Sequence, residues 1–292
     1  MRTENRMNYF LAIDVGGTKI IASLIHEKDI LYTQTAKSDT RDGEAMFASL
    51  QRTVEDLLIT NNVPESSIDT VGLVIPGQID FEHERAIFQN NLPWANFPIG
   101  KRMRELFPRA HFILKHDVQS AAIGEWSAKG KPGGMFVYVT VSTGLCASMI
   151  YRGELLSGKG FAGEIGYMKD EEDRTLEKVA SGSAMEKEVQ AEYGFSTLKE
   201  AFDAWHDGNE EMKTYFSNQA KRIARSLYNV FTVIDPDDLV LGGGVMNHQH
   251  AFYHLIIEHF KEFSSHPAQK EWHERISLST HANMSGIYGL FE

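Results

Sequence analysis

The residues of this chain whose types and spacing can do chemistry lie in two small-residue turns and at one strand end. Asp14, Gly16, Gly17, Thr18 and Lys19 fall in one run between two apolar segments. Glycines in such a turn are free to take positive φ and let backbone N–H groups converge on an anion, with the Thr hydroxyl as a further donor. A carboxylate beside that turn repels phosphate, so the chemical use of Asp14 is to hold Mg²⁺, directly or through its water. Taken alone, the run is an ordinary hairpin turn. It lacks the Gly-Lys-Ser/Thr ending of a P-loop, and a strand rather than a helix follows, which excludes the dinucleotide fingerprint. Ser142, Thr143 and Gly144 form a second strand–turn–strand unit, and the triplet Gly242, Gly243, Gly244 follows an apolar strand. His116 and Asp117 close a third apolar segment and open a helical pattern. A carboxylate there either accepts a hydroxyl proton or caps the helix.

These groups need elements to hold them. Strand signals over residues 9–15, 20–26 and 30–37 precede a helix over 44–60, where Met46, Phe47, Leu50, Val54, Leu57 and Leu58 share one face. Strands at 71–75 and 111–115, a helix at 118–128, strands at 136–141 and 145–151, helices at 183–193 and 212–233, a strand at 239–241 and a helix at 252–263 follow. The alternation predicts an α/β protein. A Gly-Lys-Pro-Gly-Gly break spans 130–134, and the repeated strand–turn–strand unit predicts two similar halves facing one another. The expected domains are 1–117, with the first turn and Asp117, and 118–292, with the second turn and the Gly triplet.

The chain has 292 residues, 42% of them hydrophobic, with a formal charge of −11, which disfavours nucleic acid as a partner. Its single cysteine, Cys146, forbids an intrachain disulfide and a Cys-rich zinc site, and points to a reducing, cytoplasmic compartment. The apolar run at 9–13 is too short for a signal peptide or membrane span, so no membrane partner is expected. No function is assigned to residues 1–7. His248, His250 and His254 lack an acidic or Cys partner at a ligand spacing and read as a solvated face. Cys146 reads as a packed small residue.

The run from Asp14 to Lys19 resembles the first phosphate motif of the sugar kinase, actin and Hsp70 superfamily, and specifically of its ROK family (repressor, open reading frame, kinase). Pro76-Gly77, Asn91-Leu92-Pro93-Trp94, Asp117, Ser142-Thr143-Gly144, Gly163-Glu164-Ile165-Gly166, Glu177 with Ser181-Gly182, and Leu241 to Val245 match further motifs in the family's order. The resemblance implies a two-domain actin-like ATPase (ribonuclease H-like) fold with a cleft between domains. It implies ATP and Mg²⁺ as cofactors and transfer of the γ-phosphate to a hexose or hexosamine hydroxyl, the 6-hydroxyl. By the same resemblance Asp14, Gly16, Gly17, Thr18, Lys19, Thr143 and Gly144 handle phosphate and Gly242, Gly243 and Gly244 lie against adenosine. Asp117 is the base, and Pro76, Gly77, Asn91, His116, Glu164, Tyr167 and Glu177 meet the sugar. A homodimer is also implied.

Four places depart from the family. His116 replaces the usual Asn, Tyr167 replaces a His, and residues 169–175 replace the Cys-rich zinc loop, so no structural zinc is expected. The run from Gly163 to Met168 resembles a zinc-free branch that includes β-glucoside kinases. Leu145-Cys146-Ala147-Ser148 stands where further glycines are usual, which leaves a catalytically weak sugar-binding protein as an alternative beside the β-glucoside kinase. A chaperone-like ATPase of the superfamily ranks below both. Thirteen residues precede Asp14, so the DNA-binding repressor branch is not expected.

Overall fold

The computed structural model describes residues 7–89, 91–247 and 249–292. The chain forms two compact units, Met1–Gly124 with Met284–Glu292, and Glu125–Asn283. No helix among the described residues is long and apolar enough to cross a membrane.

In the first unit, strands β1 (Tyr9–Val15), β2 (Lys19–His26) and β3 (Asp29–Lys37) form an antiparallel meander. Helix α1 (Gly43–Thr60) follows, capped by Asp42, whose Oδ1 accepts from Ala45 N at 2.8 Å. Its apolar face, from Met46 to Leu58, is buried as the spacing predicts. Strand β4 (Ile68–Ile75) pairs parallel with β1, and a small sheet of β5 (Gln78–Asp80), β6 (Arg85–Phe88) and β7 (Ala95–Phe97) stands apart. Helix α2 (Ile99–Leu106) leads to β8 (His111–His116), which pairs parallel with β4, and α3 (Asp117–Ala128) starts at once. The main sheet runs β3-β2-β1-β4-β8.

The second unit repeats the plan. Strands β9 (Met135–Val141) and β10 (Leu145–Tyr151) form a hairpin, extended by the short β11 (Glu154–Leu155). Helices α4 (Glu177–Ala180), α5 (Gly182–Glu192), α6 (Leu198–His206) and α7 (Glu210–Ile234) precede β12 (Asp238–Gly242), parallel to β9. Helix α8 (His250–Phe263) then leads to β13 (Ile276–Leu278), and the sheet order is β11-β10-β9-β12-β13. Phe202, Phe216, Phe231, Phe252 and Phe260 form the aromatic centre of its core.

The last helix, α9 (Ser285–Phe291), belongs to the first unit. Its Ile287 and Leu290 are buried with Ala12, Ile21, Ile25 and Val74. The division expected after residue 117 therefore differs from the one observed. Ser120 Oγ donates to Gly286 O at 2.8 Å, so the start of α3 packs on α9. Glu125, fully buried, accepts instead from Ser279 Oγ at 2.5 Å and from Thr280 N and His281 N at 2.8 and 3.0 Å. The expected strands and helices all occur. The small sheet, α2, α6, β13 and α9 were not expected, because none is long enough to show a clear period.

Candidate active site

In the first unit, parallel strands β1, β4 and β8 all end on one edge of the sheet. Cα pairing sets Asp14 beside Val74, and Ile75 beside His116. Asp14, Pro76-Gly77 and His116-Asp117 therefore gather at the carboxyl ends of adjacent strands, the usual place for ligands in such sheets. The Asp14 carboxylate makes no hydrogen bond or ion pair among the described residues, and Gly286 of α9 lies alongside it. Burial and the neighbouring Asp117 charge push its pKa up to about 7, with Lys19 pulling the other way. A cation would relieve both effects. Mg²⁺, which is commonly held by one or two carboxylates plus substrate phosphates, fits this donor set.

The turn after Asp14 closes through Gly16 N, which donates to Lys19 O at 2.9 Å. Ser38, not singled out in the sequence, braces it by donating to Gly16 O at 2.6 Å. Neither Gly16 nor Gly17 has positive φ, contrary to the expectation for this turn. Gly17 is needed for space: a Cβ there would stand 2.7 Å from Asn91 O and 2.9 Å from Asn91 Cβ. Asn91 itself is exposed, and its position is set by buried Trp94, whose Nε1 donates to Gly43 O at 3.0 Å. Gly77 does require its left-handed φ of 79°, and a side chain there would meet the Phe88 and Gln89 segment.

Asp117 does two things. Its Oδ1 accepts from Val118 N at 2.7 Å, as a helix cap would, while its Oδ2 makes no hydrogen bond among the described residues. His116 Nδ1 stands 3.2 Å from Asp117 Oδ1 but makes no hydrogen bond, so the substituted His lies against the carboxylate without bonding it.

In the second unit, the 142–144 turn and the Gly triplet lie at the ends of neighbouring strands β9 and β12, where Gly242 pairs with Thr140. Gly182 N donates to Ser142 O at 2.6 Å and Ser183 Oγ donates to Thr143 O at 2.6 Å, fastening the N-terminus of α5 to the turn. Backbone N–H groups at a helix start favour an anion. Ser183 was not picked out in the sequence; the N-cap pattern of Ser181 three residues before Ala184, which donates to it at 3.2 Å, was the available signal. Gly243 has φ of 94° and packs on Val141, Gly242 packs on the Tyr138 ring, and Gly244 faces open space.

Glu164 and Glu177 both meet the start of β10. Glu177 Oε2 accepts from Leu145 N at 3.1 Å, and Cys146 Sγ lies 3.8 Å from Glu164 Oε1. Tyr167 is exposed, with its ring 5.1 Å from that of Phe161, also exposed. Leu145, Cys146, Ala147 and Ser148 open strand β10, as the sequence predicts, and pair with Val141, Thr140, Val139 and Tyr138 of β9.

Where the resemblance places a zinc loop, residues 169–175 are closed by an ion pair. Arg174 donates to Asp170 Oδ2 through Nε at 2.9 Å and Nη2 at 2.7 Å, and Asp170 Oδ1 accepts from Glu172 N and Arg174 N. No group of three or more His, Cys, Asp or Glu suited to a metal occurs among the described residues. His250 and His254 lie exposed on α8, and His248 falls outside the described residues.

Comparison with known proteins follows the same outline. The chain matches the ROK family over residues 10–292. It is 28% identical to an N-acetylmannosamine kinase of Vibrio cholerae over 80% of this chain and 83% of that one. It is 24% identical to a glucokinase of Halalkalibacterium halodurans, covering 96% and 93%. A ROK family glucokinase from Streptomyces griseus, solved with glucose and AMPPNP, superposes with a TM-score of 0.79 at 21% identity, covering 97% and 98%, and shows the shared actin-like ATPase fold.

Proposed function

This chain belongs to the ROK family, and from that premise we propose that it is an ATP-dependent sugar kinase that phosphorylates the 6-hydroxyl of a hexose or hexosamine. The observation that carries the reading is the pair Asp14 and Asp117, brought to the carboxyl ends of the parallel strands of one sheet and close enough that the charge of Asp117 helps to raise the pKa of Asp14. Phosphoryl transfer asks the protein mainly for positioning and charge stabilisation, with one base for the attacking hydroxyl.

Asp117 suits that base. Val118 N fixes Oδ1, so Oδ2 points a lone pair from a rigid mount. It takes the hydroxyl proton as the sugar oxygen bonds the γ-phosphorus and ADP departs. Asp14 would hold Mg²⁺, which when bound offsets the phosphate charge. Thr18 and the Gly16-Gly17 turn, with Lys19, take phosphate oxygens, as do Thr143 and Gly144 at the start of α5. Gly243 and Gly244 leave room for adenosine. Glu164 and Glu177 each accept from sugar hydroxyls, with Asn91, His116 and the Pro76-Gly77 turn beside them. The ion-paired 169–175 loop supports a zinc-free branch, since Asp170 and Arg174 supply the closure that metal gives elsewhere.

Asp117→Ala should lower turnover roughly 10²–10⁴-fold while sugar binding persists. ADP release measured over a panel of sugars tests this, and unchanged turnover removes Asp117 from the mechanism. A second reading, a β-glucoside acceptor, is supported by the exposed Phe161–Tyr167 pair, a face on which an apolar aglycone can stack. Tyr167→Ala should then raise KM for an aryl β-glucoside several-fold more than for glucose, and an equal effect on both excludes it. A cytosolic homodimer belongs to the same family reading.

A further inference from the structure

Helix α7 carries Asn218, Lys221, Arg222, Arg225 and Asn229 at spacings of one, three and four residues, which sets them along one side of the helix. A pocket of about 310 Å³ lies between this side and residues 168–176, with Met168 and Leu176 as its apolar wall. Five of its lining side chains are cationic and three anionic, in a chain whose overall charge is −11.

The three acids are already engaged. Asp170 and Glu172 pair with Arg174, and Glu171 pairs with Arg225. Lys169 is taken by Asp173 at 3.6 Å. Lys221 and Arg222 have no hydrogen bond or ion pair among the described residues, although Arg222 is half-buried. A half-buried guanidinium without an acceptor is held against its solvation preference, and its planar donor fork matches a phosphate oxygen pair. Asn218 and Asn229 add neutral donors and acceptors at either end. The volume sits at the small end of roughly 300–1,000 Å³ for small-molecule pockets, enough for phosphate with a six-carbon body.

We infer that this pocket is a second anion site, built on residues other than the phosphate turns, that takes a small phosphomonoester. The phosphate lies on Lys221 and Arg222, and the polar body extends toward Asn218 and Asn229. Its wall adjoins the sugar side, because Met168 follows Tyr167, Leu176 precedes Glu177, and Leu176 N donates to Met168 O at 2.8 Å. The inference stands apart from the kinase reading, since occupancy is measured without turnover.

The test is calorimetric titration of inorganic phosphate and of glucose 6-phosphate into the full chain saturated with AMPPNP and Mg²⁺. Wild type, Lys221→Glu and Arg222→Gln are compared, with melting curves in phosphate-free buffer to show that each variant is folded; Lys221 is exposed, so its change leaves the core intact. The expected result is one binding step in wild type, weakened about tenfold or more in each variant. Tighter binding of glucose 6-phosphate than of phosphate, lost in both variants, shows that the body is held in this pocket too, and equal binding of the two overturns the placement of the body. Absence of any step in wild type, or equal affinity in all three proteins, overturns the inference.

Discussion

Gly17→Ala should disable turnover with a small loss of stability, while Gly16→Ala should leave most of both. Neither glycine has a left-handed φ, so the backbone accepts Ala at either position and only space separates them. At Gly17 the new Cβ would stand 2.7 Å from Asn91 O and 2.9 Å from Asn91 Cβ; at Gly16 the nearest atom is Lys19 O at 3.4 Å. Comfortable carbon contacts lie near 3.5–4.0 Å, so the turn and residue 91 must part by about 0.5–1 Å. The Asn91 side resists, because Leu92 and Trp94 are buried and Trp94 stacks on Phe97 at 5.2 Å. Overpacking of this kind costs about 1–3 kcal/mol, which lowers Tm by several degrees. If the turn yields instead, a shift near 1 Å at the reacting phosphates costs on the order of 10²-fold in rate. ADP-release turnover at saturating substrates, with thermal melts of both variants, reads these two quantities separately. Wild-type turnover in Gly17→Ala, or equal losses in the two variants, refutes the reasoning.

Two further outcomes are expected. Asp14, with its pKa raised from 3.8 to about 7, binds its proton more tightly folded than unfolded. Its stabilising contribution is therefore complete below about pH 4 and is lost as pH rises through about 7, with a slope up to about 1.4 kcal/mol per unit between. Urea melts from pH 4.5 to 8 without nucleotide or Mg²⁺ should show that fall in wild type and lose it in Asp14→Asn; parallel curves would contradict it. Glu177→Ala should leave Leu145 N without an acceptor, costing about 1–3 kcal/mol, and should raise the sugar KM. Glu177→Gln, whose amide oxygen can still accept, should recover most of the stability, and an unshifted melt for Glu177→Ala would remove the Leu145 bond from the account.

Much of the fold was legible because its signals are local. The face of α1 from Met46 to Leu58 and the alternation around 9–37 need only neighbouring residues to be recognised. The domain division was not, because it turns on α9, a seven-residue helix that packs on β1 and β4 almost at the end of the chain. The candidate site was legible as a set of residues but not as a mechanism for each. Gly17 was credited with φ freedom and instead provides clearance; Cys146 stands in the strand expected after the second turn, but its place beside Glu164 could not be read; Ser38 gave no signal stronger than that of any loop serine, and Ser183 only that of the Ser181 cap beside it.

By itself, the amino-acid sequence determined the class of this protein: two strand–turn–strand units, carboxylates at strand ends and an ordered series of short motifs, all readable over a few residues at a time. Only the tertiary structure decided which of them act together. Asp14 and Asp117 interact because β4 pairs parallel with both β1 and β8 in one register, and strand pairing across a hundred residues leaves no local period. The same holds for the cationic pocket, where Lys221 and Arg222 have no partner among the described residues because the acids of the 169–175 loop are paired with Arg174, Arg225 and Lys169.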